Sequence, residues 1–307
     1  MDFKNQILFI LLIFLSRPLS ADTIQKPDAF HPTKDTVIYC YCPDTFGVCL
    51  NESDTIELYK IKQIAIKDSL FLKPIGDIII TIASRYLDIP YGTPKRKYAR
   101  QENLLIGFDK FNCVTLVETV LAIAKIIKAN KIELNEFASE LKRNRYRSGI
   151  LGNFSSRLHY FSEWVYDNEK RGIVKDMSYI ADSTVWGKKI HYMSSNKKKY
   201  KQLKKKETYN EMRQIEAELS KRKRFYIPLE KFDSCKTKIQ NGDVLIMTVT
   251  TPGLDVSHTG FAIWKNDELY LLHASSKEKK VVLSEKNLKE YLTSNKKTNG
   301  ILVARPQ

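Results

Sequence analysis

The hydrophobic pattern changes its period once, at Gly242, and that change limits the possible folds more than any other feature of the chain. Before it, apolar residues recur at helical spacing from residue 56 onward and over 77–87, 115–129, 162–170 and 207–223. The clearest of these segments carries Leu116, Val120, Ile123, Ile126 and Ile127 on one broad face. After it come short β-rich runs at 243–250, 258–264, 268–274, 279–283 and 301–304, with a helix at 285–292 before the last. Helices first and antiparallel strands second predict an α+β fold and not a doubly wound α/β one. A domain of residues 56–307 is expected, helical over 56–240 and β-rich over 241–307. No internal repeat, phosphate-binding glycine loop or short-spaced metal-binding pair interrupts the pattern.

The start of the chain stands apart from this domain. Lys4 precedes an apolar run at residues 7–15, Arg17-Pro18 ends it, and Leu19-Ser20-Ala21 offers a cleavage point before Asp22. Residues 1–21 therefore read as a secretory signal peptide, with an uncleaved N-terminal anchor as the alternative. Residues 22–55 read as a polar segment. No apolar run reaches the roughly 18 residues of a membrane-spanning helix, so no obligatory membrane span is expected and the protein is placed as secreted or periplasmic. Its 307 residues hold 51 basic and 35 acidic side chains, a net charge of +16. That excess predicts attraction to a polyanion. No nucleic-acid module accompanies it, so nucleic acid is not an expected partner. The lysine run at 196–206 is either a solvated face or a site for an anionic polymer. A monomer is expected.

An exported chain can keep disulfides. Cys40, Cys42 and Cys49 cluster, while Cys113 and Cys235 stand alone. Cys40 and Cys42 are too close in sequence to bond each other without strain. If the protein is oxidised, Cys113 is expected to stay free, Cys235 to pair with Cys40 or Cys42, and Cys49 with the other.

Chemistry has few places to sit, because histidine occurs five times. Cys113 opens the helical pattern after Asn112, where unpaired N–H groups and the dipole favour a thiolate. A packed, inert thiol is the competing reading. A nucleophilic cysteine also needs a base and an orienting partner. His258 begins one expected strand and His273 lies on the next, with the turn near residues 265–267. An even-numbered hairpin loop makes paired positions sum to an odd number, which puts both imidazoles on one face and near each other. Two core histidines, or two metal ligands, would show the same pattern.

These residues resemble stations of the papain-like NlpC-type cell-wall hydrolase superfamily. Helix-borne Cys113, strand-borne His258 and His273 on the next strand follow its order. Pro90-Tyr91-Gly92, Gly242-Asp243-Val244, Ser257-His258-Thr259-Gly260 and Leu272-His273-Ala274-Ser275-Ser276 are similar to its recurring segments. Arg145-Tyr146-Arg147, Ser156-Arg157-Leu158-His159-Tyr160-Phe161, Trp164 and Gly253-Leu254-Asp255-Val256-Ser257-His258 resemble its N-acetylmuramoyl-L-alanine amidase-like branch more specifically. The resemblance spans about residues 70–305. One departure is Asn112, where the branch usually has aspartate before the nucleophile.

The resemblance implies a papain-like cysteine hydrolase: a helical subdomain carrying the nucleophile, packed on a C-terminal antiparallel sheet or barrel. It implies cleavage of the amide between muramic acid and L-alanine in peptidoglycan or muropeptides, through a thioester and without metal or organic cofactor. Cys113, His258 and His273 would be catalytic. Tyr91, Asn112, Ser156, Arg157, His159 and Asp255 would bind substrate, Arg157 gripping a carboxylate and His159 donating to a sugar or lactyl oxygen; a buried structural network is the alternative for residues 156–160, and a cap on the loop before His258 is the alternative for Asp255. A stem-peptide endopeptidase with the same triad and an inactive wall-binding module are the alternatives.

Overall fold

The structure, a computed structural model, describes residues 39–41, 47–94, 102–179 and 183–307. The expected signal peptide, most of the polar segment and Cys42 lie outside the described residues. The helices are α1 (Glu52–Lys67), α2 (Ile75–Arg85), α3 (Cys113–Lys128), α4 (Leu134–Arg145), α5 (Phe161–Lys170), α6 (Tyr192–Ser195), α7 (Lys206–Lys221), α8 (Phe232–Cys235) and α9 (Leu288–Thr293). The strands are β1 (Tyr39–Tyr41), β2 (Val48–Leu50), β3 (Leu104–Leu105), β4 (Val174–Asp176), β5 (Thr184–Val185), β6 (Phe225–Pro228), β7 (Val244–Val249), β8 (Val256–Lys265), β9 (Glu268–Ser275), β10 (Lys280–Leu283) and β11 (Thr298–Pro306).

The larger sheet runs β10-β9-β8-β7-β11-β6-β5, with β4 also paired to β11, and every pairing in it is antiparallel. Its centre is β7, whose continuous apolar run is buried along its whole length, as a strand covered on both faces requires. Val244 and Ile246 face a core shared with Ile79, Leu116, Val120 and Trp164 from the helices. Leu245 and Met247 face the other way, onto Phe232, Leu288 and Leu292 of α8 and α9. The fold is thus α+β, as the change of period at Gly242 predicts. At that turn, Gly242 has φ 81°, and a Cβ there would stand 2.6 Å from the Cα of Gly76, so α2 packs directly against the entry to β7.

Two expectations change. The folded body begins ahead of residue 56: β2 pairs with β1 and β3, and α1 starts at Glu52. There the Asp54 carboxylate accepts the N–H of Asn51 at 2.7 Å and of Phe108 at 3.1 Å, a buried anchor that composition disguised as polarity. The expected bridge from Cys235 is also not made. Cys235 is a free buried thiol in the cluster of Phe232 and Leu288, whereas Leu50 of β2 belongs to the core on the opposite face of the sheet. Cys40 instead stands opposite Cys49 in the β1–β2 register.

Candidate functional site

Asn112 makes the start of α3. Its side-chain oxygen accepts the N–H groups of Val114 (3.0 Å) and Thr115 (2.9 Å), and the Thr115 hydroxyl accepts the N–H of Asn112 at 3.0 Å. Cys113 is the first helical residue, and its own N–H is left beside Sγ. Asn112 is therefore a helix cap whose amide also reaches Thr93 at 3.3 Å while it lines the cleft. The amide supplies the cap without the charge that aspartate would bring.

Burial pushes the Cys113 thiol up, and it outweighs the N–H groups of Thr259, Val114 and Cys113 that oppose it. The expectation that the helix start favours a thiolate is reversed for this reason: desolvation of the anion exceeds the pull of the helix end. The Thr259 N–H links Cys113 to β8, next to His258.

The hairpin of β8 and β9 closes with Asn266 and Asp267, both at positive φ, between the paired residues Lys265 and Glu268. Its loop is even-numbered, and both imidazoles lie on one face. The register differs from direct opposition, however. Phe261 pairs with Leu272, so His273 falls opposite Gly260 and His258 lies two residues off. A Cβ on Gly260 would stand 2.8 Å from the Cβ of His273; glycine leaves the room into which the two rings lean. His258 Nε2 and His273 Nδ1 meet at 2.6 Å with the rings nearly perpendicular, at 88°. With the proton on His258 Nε2, its Nδ1 is a bare acceptor.

Tyr91, Thr93, Asn112, Cys113, Arg157 and His159 wall one open cleft of about 360 Å³. Its rim differs in detail from the expectation. Arg157 is paired to Glu102, with Nη2 at 2.5 Å and Nε at 3.0 Å, so part of its fork is already engaged. His159 Nε2 lies 2.7 Å from the Phe154 carbonyl, which only accepts, and its ring packs on Phe154. The proton therefore sits on Nε2, and His159 presents Nδ1 as an acceptor, not the expected donor. Ser156 does not line the cleft: its hydroxyl donates to the Asn153 carbonyl (2.7 Å) and accepts the Gly152 N–H (3.0 Å), closing a turn. Asp255 is buried and accepts the N–H groups of Ser162 (2.8 Å) and Val256 (2.7 Å). It joins the start of α5 to the start of β8, which fixes the rim relative to His258, in keeping with the capping alternative for this residue.

A family model described as N-acetylmuramoyl-L-alanine amidase-like matches residues 81–301. The chain belongs to this amidase-like family. It is 36% identical to an N-acetylmuramoyl-L-alanine amidase from Bacteroides uniformis, with a TM-score of 0.71, covering 76% of this chain and 99% of that one. It is also 36% identical to a Bacteroides fragilis protein provisionally described as a xylanase, with a TM-score of 0.68, covering 73% and 99%. A Legionella pneumophila protein, 24% identical, shares the fold, with a TM-score of 0.61 over 83% of this chain and 95% of its own. No curated protein matches the sequence.

In this amidase-like chain the Arg145-Tyr146-Arg147 segment is a set of struts. Arg145 pairs with buried Glu118 at 2.6 Å, Tyr146 donates to Glu102 at 2.9 Å, and Arg147 grips Glu163 with both nitrogens at 2.9 Å. Sequence reasoning missed Glu102 and Tyr291. The Tyr291 ring on α9 lies 5.2 Å from that of His273 and 6.4 Å from that of His258, and burial, with Cys113 as a lesser cause, pushes its hydroxyl up to about 12. No motif flags it, because only the return of α9 over the sheet brings it close.

Burial holds His258 down at about 4, and burial with the neighbouring His258 holds His273 down to about 3. Burial thus favours the neutral form of both imidazoles and of the Cys113 thiol. If His258 is the base, the acid limb of kcat/KM should fall near pH 4, well below the 6.5 of a free imidazole. A limb between pH 6 and 7 in a pH-rate profile would contradict this environment. Stability should follow the same sign. As pH falls below about 6.5 the unfolded chain takes up protons that the folded imidazoles refuse, so stability is lost toward acid.

Proposed function

We propose that this protein is an exported cysteine amidase of papain-like, NlpC-type architecture that cleaves the bond between the lactyl carbonyl of N-acetylmuramic acid and L-alanine. The observation that carries the reading is the His258–His273 hydrogen bond on adjacent strands, beside a capped helix start that presents Cys113 to a cleft. The family supports peptidoglycan as substrate and a place outside the cytoplasm. Among the described residues, no helix is long and apolar enough to cross a membrane.

In this mechanism His258 Nδ1 takes the Cys113 proton as Sγ attacks the lactyl carbonyl. The oxyanion meets the Cys113 N–H, with the half-buried Tyr91 at the same cleft. His258 returns the proton to the leaving amine of L-alanine, the stem peptide departs, and the muramoyl group remains as a thioester. Water, deprotonated by His258, then hydrolyses it. His273 holds the His258 tautomer throughout. A thiol and imidazoles held toward their neutral forms suit this order, because the proton leaves sulfur only as the carbonyl is attacked. Arg157 and the acceptor Nδ1 of His159 would receive a carboxylate and an N–H of the substrate.

Digestion of purified muropeptides, with products weighed by mass spectrometry, tests the reading. It predicts free muramoyl glycan and intact stem peptides. Shortened stems would make the protein an endopeptidase, and unchanged muropeptides would make it a binder.

A further inference from the structure

The helical unit of residues 190–221 lies outside the triad, yet it is joined to the cleft rim. Tyr160, Ile190, Met193, Leu203, Met212 and Leu219 share one buried cluster, against which Phe154 packs. Tyr160 donates to buried Glu216 at 2.7 Å, and Asn153 donates to Glu211 at 2.9 Å. The residues that hold the His159 ring therefore also carry this unit. Its outer side bears Lys197, Lys198, Lys199, Lys201, Lys204, Lys205 and Lys206, all exposed and without a carboxylate partner among the described residues. The backbone there runs in two single 3₁₀ turns before α7, which splays the lysines around a surface instead of along one helix stripe. Lys197 stands over the Tyr209 ring at 5.2 Å, and Tyr209 in turn lines an open groove of about 380 Å³ with His191, Ser194, Ser195 and Arg213.

We propose that this lysine face and its groove hold the anionic glycan–peptide strand of peptidoglycan, so that a neighbouring stretch of the same strand enters the cleft. The proposal rests on the peptidoglycan reading above. Free carboxylates of the stem peptides supply the charge that the lysines lack locally, and the groove offers an aromatic ring and hydroxyls to a sugar. Unpaired exposed cations contribute chiefly long-range attraction, so binding here is salt-sensitive. The shared cluster and hydrogen bonds to the rim make the strand, and not a separate polyanion, the occupant.

The test uses the full chain in a Cys113→Ala background, so that the wall is not digested. Co-sedimentation with insoluble sacculi stripped of phosphate polymers compares two fourfold variants of equal charge. One carries K198E, K201E, K204E and K205E; the other carries K60E, K67E, K131E and K231E. The first should lose binding about tenfold or more at low salt, and the second should retain most of it. With Cys113 restored, the first variant should cleave a small soluble muropeptide at the unmodified rate while slowing on sacculi. Equal loss in both variants would reduce the effect to net charge and overturn the proposal. So would unchanged binding in the first, or binding that needs phosphate polymers or anionic vesicles. Because binding is read without turnover, a failed amidase reading shows separately, as no cleavage of the soluble muropeptide by any chain.

Discussion

Replacing Cys113 by alanine should remove at least about 10⁴ of the turnover while leaving the fold intact. In the proposed mechanism the bond to substrate forms at this sulfur, and among the described residues that line the cleft Cys113 brings the one thiol, at a capped helix start. The helix does not depend on it, since Asn112 and Thr115 supply the cap. Loss of one half-buried sulfur should cost about 1 kcal/mol. Circular dichroism should therefore match the parent, the melting temperature should fall by no more than about 2–4 °C, and steady-state hydrolysis of muropeptides should be absent. A Cys113→Ala protein with near-parental turnover would overturn the cysteine mechanism.

The second large effect concerns the third position. In the proposed mechanism His273→Ala should lower kcat by roughly 10²–10⁴ with little change in KM, since nucleophile and base would survive while the His258 tautomer would no longer be held. His273→Asn keeps a polar partner near His258 Nε2 and should recover part of the loss, which a merely structural role would not require. Gly260→Ala should act in the same direction, because its Cβ would crowd the Cβ of His273 and the Leu272 carbonyl at 2.6 Å. His159→Ala should instead raise KM more than it lowers kcat, as Nδ1 is an acceptor on the cleft wall and has no link to His258. Kinetics on the single variants decide the assignment. An unchanged His273→Ala enzyme beside a dead His159→Ala enzyme would exchange the two roles.

The period of the hydrophobic pattern made the α+β architecture and strands β7 to β11 readable, because a strand buried on both faces must be continuously apolar. Helix α4 escaped notice although Leu134, Phe137, Ala138 and Leu141 recur at helical spacing, since its many charged residues mask a narrow buried stripe. The same-face placement of His258 and His273 followed from parity alone. Their diagonal contact did not, because register depends on turn length, and the two-residue turn at Asn266-Asp267 shifts the pair. Ser156 and Asp255 illustrate the opposite limit. Family-like segments left each of them either a ligand or a structural group, and their side chains close a turn and cap the loop before His258. Residue type and order cannot distinguish a group that touches substrate from one that positions its neighbour. The sign of the Cys113 shift was likewise illegible, as it depends on how deeply α3 is buried against β8.

The central claim is that Cys113 carries the muramoyl group as a thioester. Acid quenching during turnover of a purified muropeptide, followed by intact-protein mass spectrometry and peptide mapping, tests it directly. The account predicts a transient adduct with the mass of the N-acetylmuramoyl glycan, located on the peptide that contains Cys113, and free stem peptide in solution. An adduct of stem-peptide mass, or one on any other residue, would contradict it.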